Sequence, residues 1–172
     1  MIFVRIAKTS AENRGMRIRR ASEDDIPAVR LVTARAYDIY EILLGYLPAP
    51  ASADPLAWLV RGTMWVGERD SEVMAVLLTE PRDDHWLVWS AVVDPEWQGE
   101  GYGRALLEHA EALAREAGVA ELRLTTNALM SRNISLYQHC GYRICGRRPH
   151  PEHSQHELAD MSKHLLPVRA AL

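Results

Sequence analysis

The sequence predicts an α+β chain in which helices pack on a sheet, and three observations carry that expectation. Short segments rich in β-branched and aromatic residues alternate with segments of helical periodicity. Three of the former, residues 63–68, 73–79 and 86–93, follow one another with only turn-like Asp/Ser and Pro-Arg-Asp-Asp stretches between them, which reads as an antiparallel meander. Residues 103–117 then place Leu106, Ala110, Leu113 and Ala117 on one face of a helix that Gly118 stops. At 172 residues, 48% apolar and 25% charged, the chain suits one domain with a sizeable core.

The remaining elements fall in order around these. Residues 16–20 suit a short strand. Ser22 is the expected N-cap of a helix over 23–40, with Asp25 at the third helical position as a carboxylate variant of the capping box and Pro27 tolerated in the first turn. Pro48, Pro50 and Pro55 break the next stretch of chain and leave room for a short helix over 55–60 before Gly62. Beyond the long helix, residues 121–125 read as a strand, 132–140 as a helix closed by Gly141, and 142–147 and 157–164 as late strands. Residues 1–15 lack a pattern and are expected to be a loose extension, with the domain over 16–166 and a tail over 167–172.

A net charge of −3 argues against a general binder of nucleic acid or of an anionic membrane. Residues 51–100 hold ten Asp or Glu against three Arg, which reads first as a solvated acidic surface and second as an attraction for cationic substrates. Cys140 and Cys145 are too few for a disulfide framework and lack zinc-site spacing. With no signal-like start and no apolar run near the ~18 residues that span a bilayer, these features predict a cytoplasmic protein.

The chemistry concentrates in Val92-Val93-Asp94-Pro95-Glu96-Trp97-Gln98-Gly99-Glu100-Gly101-Tyr102-Gly103-Arg104. A strand ends, a proline turns the chain, and three alternating glycines lead into a helix. Glycines let backbone N–H groups approach a ligand, and the helix start adds unpaired donors and partial positive charge, so a phosphate or pyrophosphate suits the site. A Walker loop would need Gly-Lys-Ser/Thr, and a dinucleotide fingerprint would need a third glycine at Arg104 or Leu106, so both are excluded.

This segment resembles the acyl-CoA site of the GNAT superfamily of N-acetyltransferases, whose Gln/Arg-x-x-Gly-x-Gly/Ala signature is matched by Gln98, Gly101 and Gly103. Asn133-Ile134-Ser135-Leu136-Tyr137-Gln138-His139-Cys140-Gly141-Tyr142 is similar to a second region of that family, in the right order. The resemblance implies a mixed, mostly antiparallel sheet of six to seven strands, flanked by about four helices and splayed at the fourth and fifth strands. It implies acetyl-CoA as co-substrate and transfer of the acetyl group to an amine of a small molecule or peptide, with no metal. Val92 and Val93 would bond the pantetheine arm, the amides of Gln98, Gly99, Glu100, Gly101, Tyr102, Gly103 and Arg104 would cradle the pyrophosphate, and Asn133 would touch the arm. Tyr137 would sit by the sulfur as general acid.

Many relatives place a Glu on the fourth strand, and here that stretch is Leu87-Val88-Trp89-Ser90-Ala91. Asp94, Glu96, His85 or a water chain remain as routes for the proton, and a non-catalytic acyl-CoA sensor is the alternative reading. Tyr37, Tyr40, Tyr46 and Trp89 are the expected acceptor-pocket residues. Trp58, Trp65, Trp86, Trp89 and Trp97 read as core or as an aromatic wall for an amine. His150, His153 and His156 read as an exposed loop and not as a metal site. Neither cysteine has a motif that would make it a nucleophile, so both read as packing residues. A homodimer is compatible with the family.

Overall fold

The computed structural model describes residues 15–165. The extension expected before residue 16, apart from Gly15, and the tail expected after residue 166 lie outside the described residues. Strands β1 (Arg17–Arg20), β2 (Met64–Arg69), β3 (Glu72–Pro81), β4 (Trp86–Val93), β5 (Glu121–Asn127), β6 (Arg143–Pro149) and β7 (Glu157–His164) form one sheet in the order β1-β2-β3-β4-β5-β7-β6. Every pairing is antiparallel except that of β4 with β5. Four α-helices join them: α1 (Ile26–Leu44), α2 (Pro55–Val60), α3 (Tyr102–Glu116) and α4 (Ser131–His139). The predicted fold class and the splay between the fourth and fifth strands are therefore observed.

Alternation along the strands separates two cores. Ala75 and Leu77 of β3 meet Ala105, Leu106 and Ala110 of α3 on one face of the sheet. Val76 and Leu78 meet Val29, Val32 and Ala36 of α1 on the other. The buried stripe of α3 runs through Ala105, Leu106, Ala110 and Ala114 and not through the expected Leu113 and Ala117, because Ala117 lies past the last helical turn and is exposed.

Helix α1 also departs from expectation. Residues 23–25 form a separate 3-10 turn, and the helix continues four residues beyond Tyr40, since Glu41, Ile42, Leu43 and Leu44 contain no helix breaker before Gly45, whose φ of +74° stops it. The Asp25 carboxylate accepts from the Ser22 backbone N–H (2.7 Å) and hydroxyl (3.0 Å), and from both terminal guanidinium nitrogens of Arg19 at 2.7 and 2.9 Å. That fork fastens β1 to the start of α1. Among the described residues no helix is long and apolar enough to cross a membrane.

Candidate active site

The sheet opens where β4 and β5 part. They pair only at Trp86 with Leu122 and Leu87 with Arg123, then diverge to leave a cleft of about 910 Å³. In an antiparallel ladder successive residues turn their N–H and C=O groups to opposite sides. The Asp94 N–H bonds the Met74 carbonyl, and the register pairs Val92 with Val76, so the Val92 backbone is spent on β3. The groups that face the cleft belong to Ala91 and Val93, with the Val93 carbonyl already accepting from Gln98 Nε2 at 2.9 Å. Of the expected strand pair, Val93 is thus placed to offer backbone to the cleft, Val92 is not, and Ala91 takes its place.

The loop after β4 is shaped by glycines. Gly99 and Gly101 have φ of +87° and +86°, the left-handed region that a Cβ disfavours. Gly101 precedes α3 with no side-chain cap, so the first-turn amides of α3 have no intrahelical acceptor. Gly103 serves a different need, because a Cβ there would lie 3.2 Å from Leu136 of α4. The loop is braced from below by Arg69, which donates to the hydroxyl of the buried Tyr102 (2.7 Å) and lies over the Trp97 ring, 5.2 Å from its centroid. Glu100 stands 3.8 Å from the same guanidinium. The Gln98 N–H is bonded weakly to the Pro95 carbonyl at 3.4 Å, so the cradle begins at Gly99. Arg104, also expected in the cradle, is exposed and donates to Glu108 at 2.8 Å. An edge of free strand amides running into an uncapped, glycine-shaped helix start fits an extended ligand with a phosphate at one end.

The opposite wall comes from α1 and the segment after it. A bulge in β4 leaves Trp89 without a partner on β3, since Leu78 pairs with Ser90 and Thr79 with Val88. The extra residue turns Trp89 and Ser90 toward the α1 side. Trp89 packs on the buried Trp58 with centroids 4.7 Å apart, and the Ser90 and Tyr37 hydroxyls are 3.2 Å apart. Tyr40 donates to Asn133 Oδ1 at 2.7 Å, tying α1 to α4, so the Asn133 acceptor is engaged within the protein. Tyr46 accepts from Asn127 Nδ2 at 2.9 Å. Burial pushes the Tyr37 phenol up to about 12 and raises that of Tyr40 as well.

Tyr137 projects from α4 into the same cleft and packs against Tyr142, with centroids 6.0 Å apart. Its hydroxyl has no hydrogen-bond partner among the described residues, and burial, with the neighbouring Tyr37 and Tyr40, raises it well above the ordinary phenol range. Cys140 packs on the core below it, its thiol pushed up by burial, whereas Cys145 is exposed on β6, so only the first is the packing residue that was expected.

None of the three base candidates lines the cleft. Asp94 is buried, caps the turn after β4 through the Glu96 N–H (3.0 Å) and pairs with Arg35 at 3.1 Å. Glu96 is exposed and takes the other end of Arg35 at 2.9 Å. His85 pairs with Asp84 at 2.7 Å where β4 and β5 are still joined, roughly 20 Å along the strand from Val92 at about 3.3 Å per residue.

The tryptophans divide. Trp89 and Trp97 line the cleft, Trp58 lies buried behind Trp89, and Trp65 and Trp86 pack on the α3 side. The three histidines are not a free loop: His153 stacks on the Tyr46 ring at 3.7 Å, and His150 and His156 meet it edge-on at 5.2 Å. Among the described residues no group of three or more His, Cys, Asp or Glu side chains is placed to hold a metal ion. Sequence reading missed Ala91, although ladder parity could have found it, and it missed Arg132 at the cleft, for which no motif exists.

Comparison with known proteins agrees with this geometry. The model of the acetyltransferase (GNAT) family matches residues 34–142. The ribosomal protein bS18-alanine N-acetyltransferase of Escherichia coli is 34% identical over 74 residues, 43% of this chain and 50% of that protein. The chain thus spans about half the length of that curated relative. The crystal structure of a ribosomal-protein-alanine N-acetyltransferase from Brucella melitensis is 25% identical with a TM-score of 0.69, covering 87% of this chain and 99% of that one. PaiA N-acetyltransferase from Thermoplasma acidophilum, solved in complex with coenzyme A, has a TM-score of 0.73 at 18% identity and covers 87% and 98%. With more than half of its length under the family model, the splayed sheet and the glycine turn in place, the chain belongs to the acetyltransferase (GNAT) family.

Proposed function

We propose that the chain is an N-acetyltransferase that moves the acetyl group of acetyl-CoA to a primary amine of a small molecule or peptide, by direct attack with both substrates bound. The observation that carries this reading is one cleft in which an open strand edge, a glycine-shaped helix start and an unpartnered tyrosine hydroxyl meet. The backbone of Ala91 and Val93 holds the extended arm as a neighbouring strand would, and amides from Gly99 to Arg104 receive the pyrophosphate. Bound there, acetyl-CoA supplies an activated acetyl thioester. Tyr137 keeps its proton at neutral pH because its site is buried, gives it to the departing sulfur, and regains one from the amine nitrogen. The balance is one N–C bond formed, one S–C bond broken and one hydrogen moved from nitrogen to sulfur.

The catalytic unit on this reading is 16–166, with 1–15 an extension and 167–172 a tail, acting in the cytoplasm without nucleic-acid or membrane partners, as a monomer or homodimer. A peptide acceptor draws support from the E. coli relative, whose name describes acetylation of an alanine of a ribosomal protein. Release of CoA thiol, measured over a panel of amines, tests the reading. Tyr137→Phe is expected to lower kcat by roughly 10²–10⁴ while leaving acetyl-CoA affinity within about twofold. Tight acetyl-CoA binding with no thiol released from any amine would establish the sensor alternative in its place.

A further inference from the structure

The charges along the cleft limit which amine it can accept. Among the described residues no Asp or Glu lines it, whereas Arg132 and Arg148 do, with Arg104 at the pyrophosphate end. Arg104 is held by Glu108 and Arg148 by Asp160, while Arg132, at the start of α4 beside Tyr40, has no ion-pair or hydrogen-bond partner among the described residues. A cationic amine entering here meets positive charge and loses hydration with no carboxylate to compensate.

The uncharged titratable groups do not supply a proton acceptor either. From α1, Tyr37 is pushed up to about 12 and Tyr40 is raised; from α4, Tyr137 is raised, so all three stay protonated. Tyr46, from the segment after α1, accepts from Asn127. His150, from the loop between β6 and β7, has its Nδ1 occupied by the N–H groups of Glu152 (3.2 Å) and His153 (3.1 Å). Its neutral ring must therefore carry the proton on Nε2, which leaves a donor and no free lone pair. The other lining side chains near this end are apolar or aromatic, among them Ile39, Leu43, Trp89 and Leu129, or neutral hydroxyls and amides such as Ser90, Asn127 and Asn133, which are bonded to Tyr37, Tyr46 and Tyr40.

We propose that the acceptor, on the acetyltransferase reading above, is an amine that enters the cleft already uncharged: a weakly basic α-amine or arylamine on an apolar or aromatic carrier, and not a lysine side chain, a polyamine or an aminosugar. The enzyme selects the neutral form by its cations and apolar walls and leaves deprotonation to solvent before binding.

The test compares phenylalanine amide, 2-phenylethylamine and spermidine with the full chain across pH 6–10. Binding is read from tryptophan fluorescence, with Trp89 in the cleft as reporter, and turnover from CoA release. Because α-amines titrate near 7.7–8.0 and alkylamines near 10.4, the neutral fractions of the first two differ by about 300-fold at pH 7. The affinity of each should rise about tenfold per pH unit up to that amine's own pKa, so phenylalanine amide should level off near pH 8 while 2-phenylethylamine goes on rising to pH 10, and spermidine should bind most weakly. A break at one common pH for both amines, or tighter binding of spermidine than of phenylalanine amide, would overturn the proposal. If amines bind but none yields CoA, the acetyltransferase reading falls, and the binding profiles still decide what the cleft selects.

Discussion

The Arg19–Asp25 fork offers the most quantitative check on the architecture. Asp25 is nearly buried, and Arg19 foremost, opposed by burial and helped by Ser22, holds its carboxyl at about 2 against an ordinary 3.8. A depressed carboxylate stabilises the fold above its unfolded value and loses that contribution as pH falls through the folded one. The difference corresponds to about 2 kcal/mol at pH 7, to about half of that at pH 3, and to little at pH 2. Asp25→Asn should therefore lower the unfolding free energy by about 2 kcal/mol at pH 7 and by about 1 kcal/mol at pH 3. Urea titrations followed by tryptophan fluorescence on both proteins at each pH measure this directly, and the difference between the two cancels the titration of all other carboxylates. A loss under about 0.5 kcal/mol at pH 7, or one equal at both pH values, would refute the account, since the first is the range of an exposed ion pair and the second excludes ionisation as the cause.

Two further expectations concern α3. His109 packs edge-on against Trp65 at 4.6 Å with its Nε2 buried and unpartnered, and burial lowers it from 6.5 to about 4. Folding thus favours the neutral ring, so between pH 6.5 and 4 the native protein should lose up to about 3 kcal/mol that His109→Leu does not, read from urea midpoints across that range. At Gly103, an added methyl meets Leu136 at 3.2 Å. Gly103→Ala should be nearly neutral, since its helix propensity offsets the crowding, whereas Gly103→Val should cost about 1–3 kcal/mol and weaken coenzyme A binding, measured by thermal melting and calorimetry. Equal behaviour of the two variants would show that α3 and α4 are not in contact there.

Much of this architecture is legible in the sequence because local chemistry is strong where it matters. Residues 86–93 read as a strand with its observed ends, since turn residues precede a run of β-branched and aromatic residues and Asp-Pro follows it, and 157–164 is also observed with its expected ends. The glycine turn before α3 is equally plain, for glycine alone adopts the positive φ seen at Gly99 and Gly101 without a Cβ penalty. The features hidden from sequence depend on register and on distant partners. The bulge at Trp89 exists only relative to β3, and the choice of Ala91 over Val92 is set by which neighbours bond Met74 and Val76. Asp94 looks like a free carboxylate until Arg35, fifty-nine positions earlier, occupies it. Likewise the histidines 150–156 acquire a purpose only with Tyr46 among them.

The two-pair junction between β4 and β5 also bears on how the protein holds together. Strands β1 to β4 and strands β5 to β7 are each continuous ladders, so the sheet is two plates welded at one corner and held elsewhere by α3 and side-chain ties such as Tyr40–Asn133. An extended ligand lying in the gap acts as a missing rung between the plates. Its binding energy then enters the cooperativity of the whole domain, and occupancy of the cleft and integrity of the fold become the same variable measured in two ways.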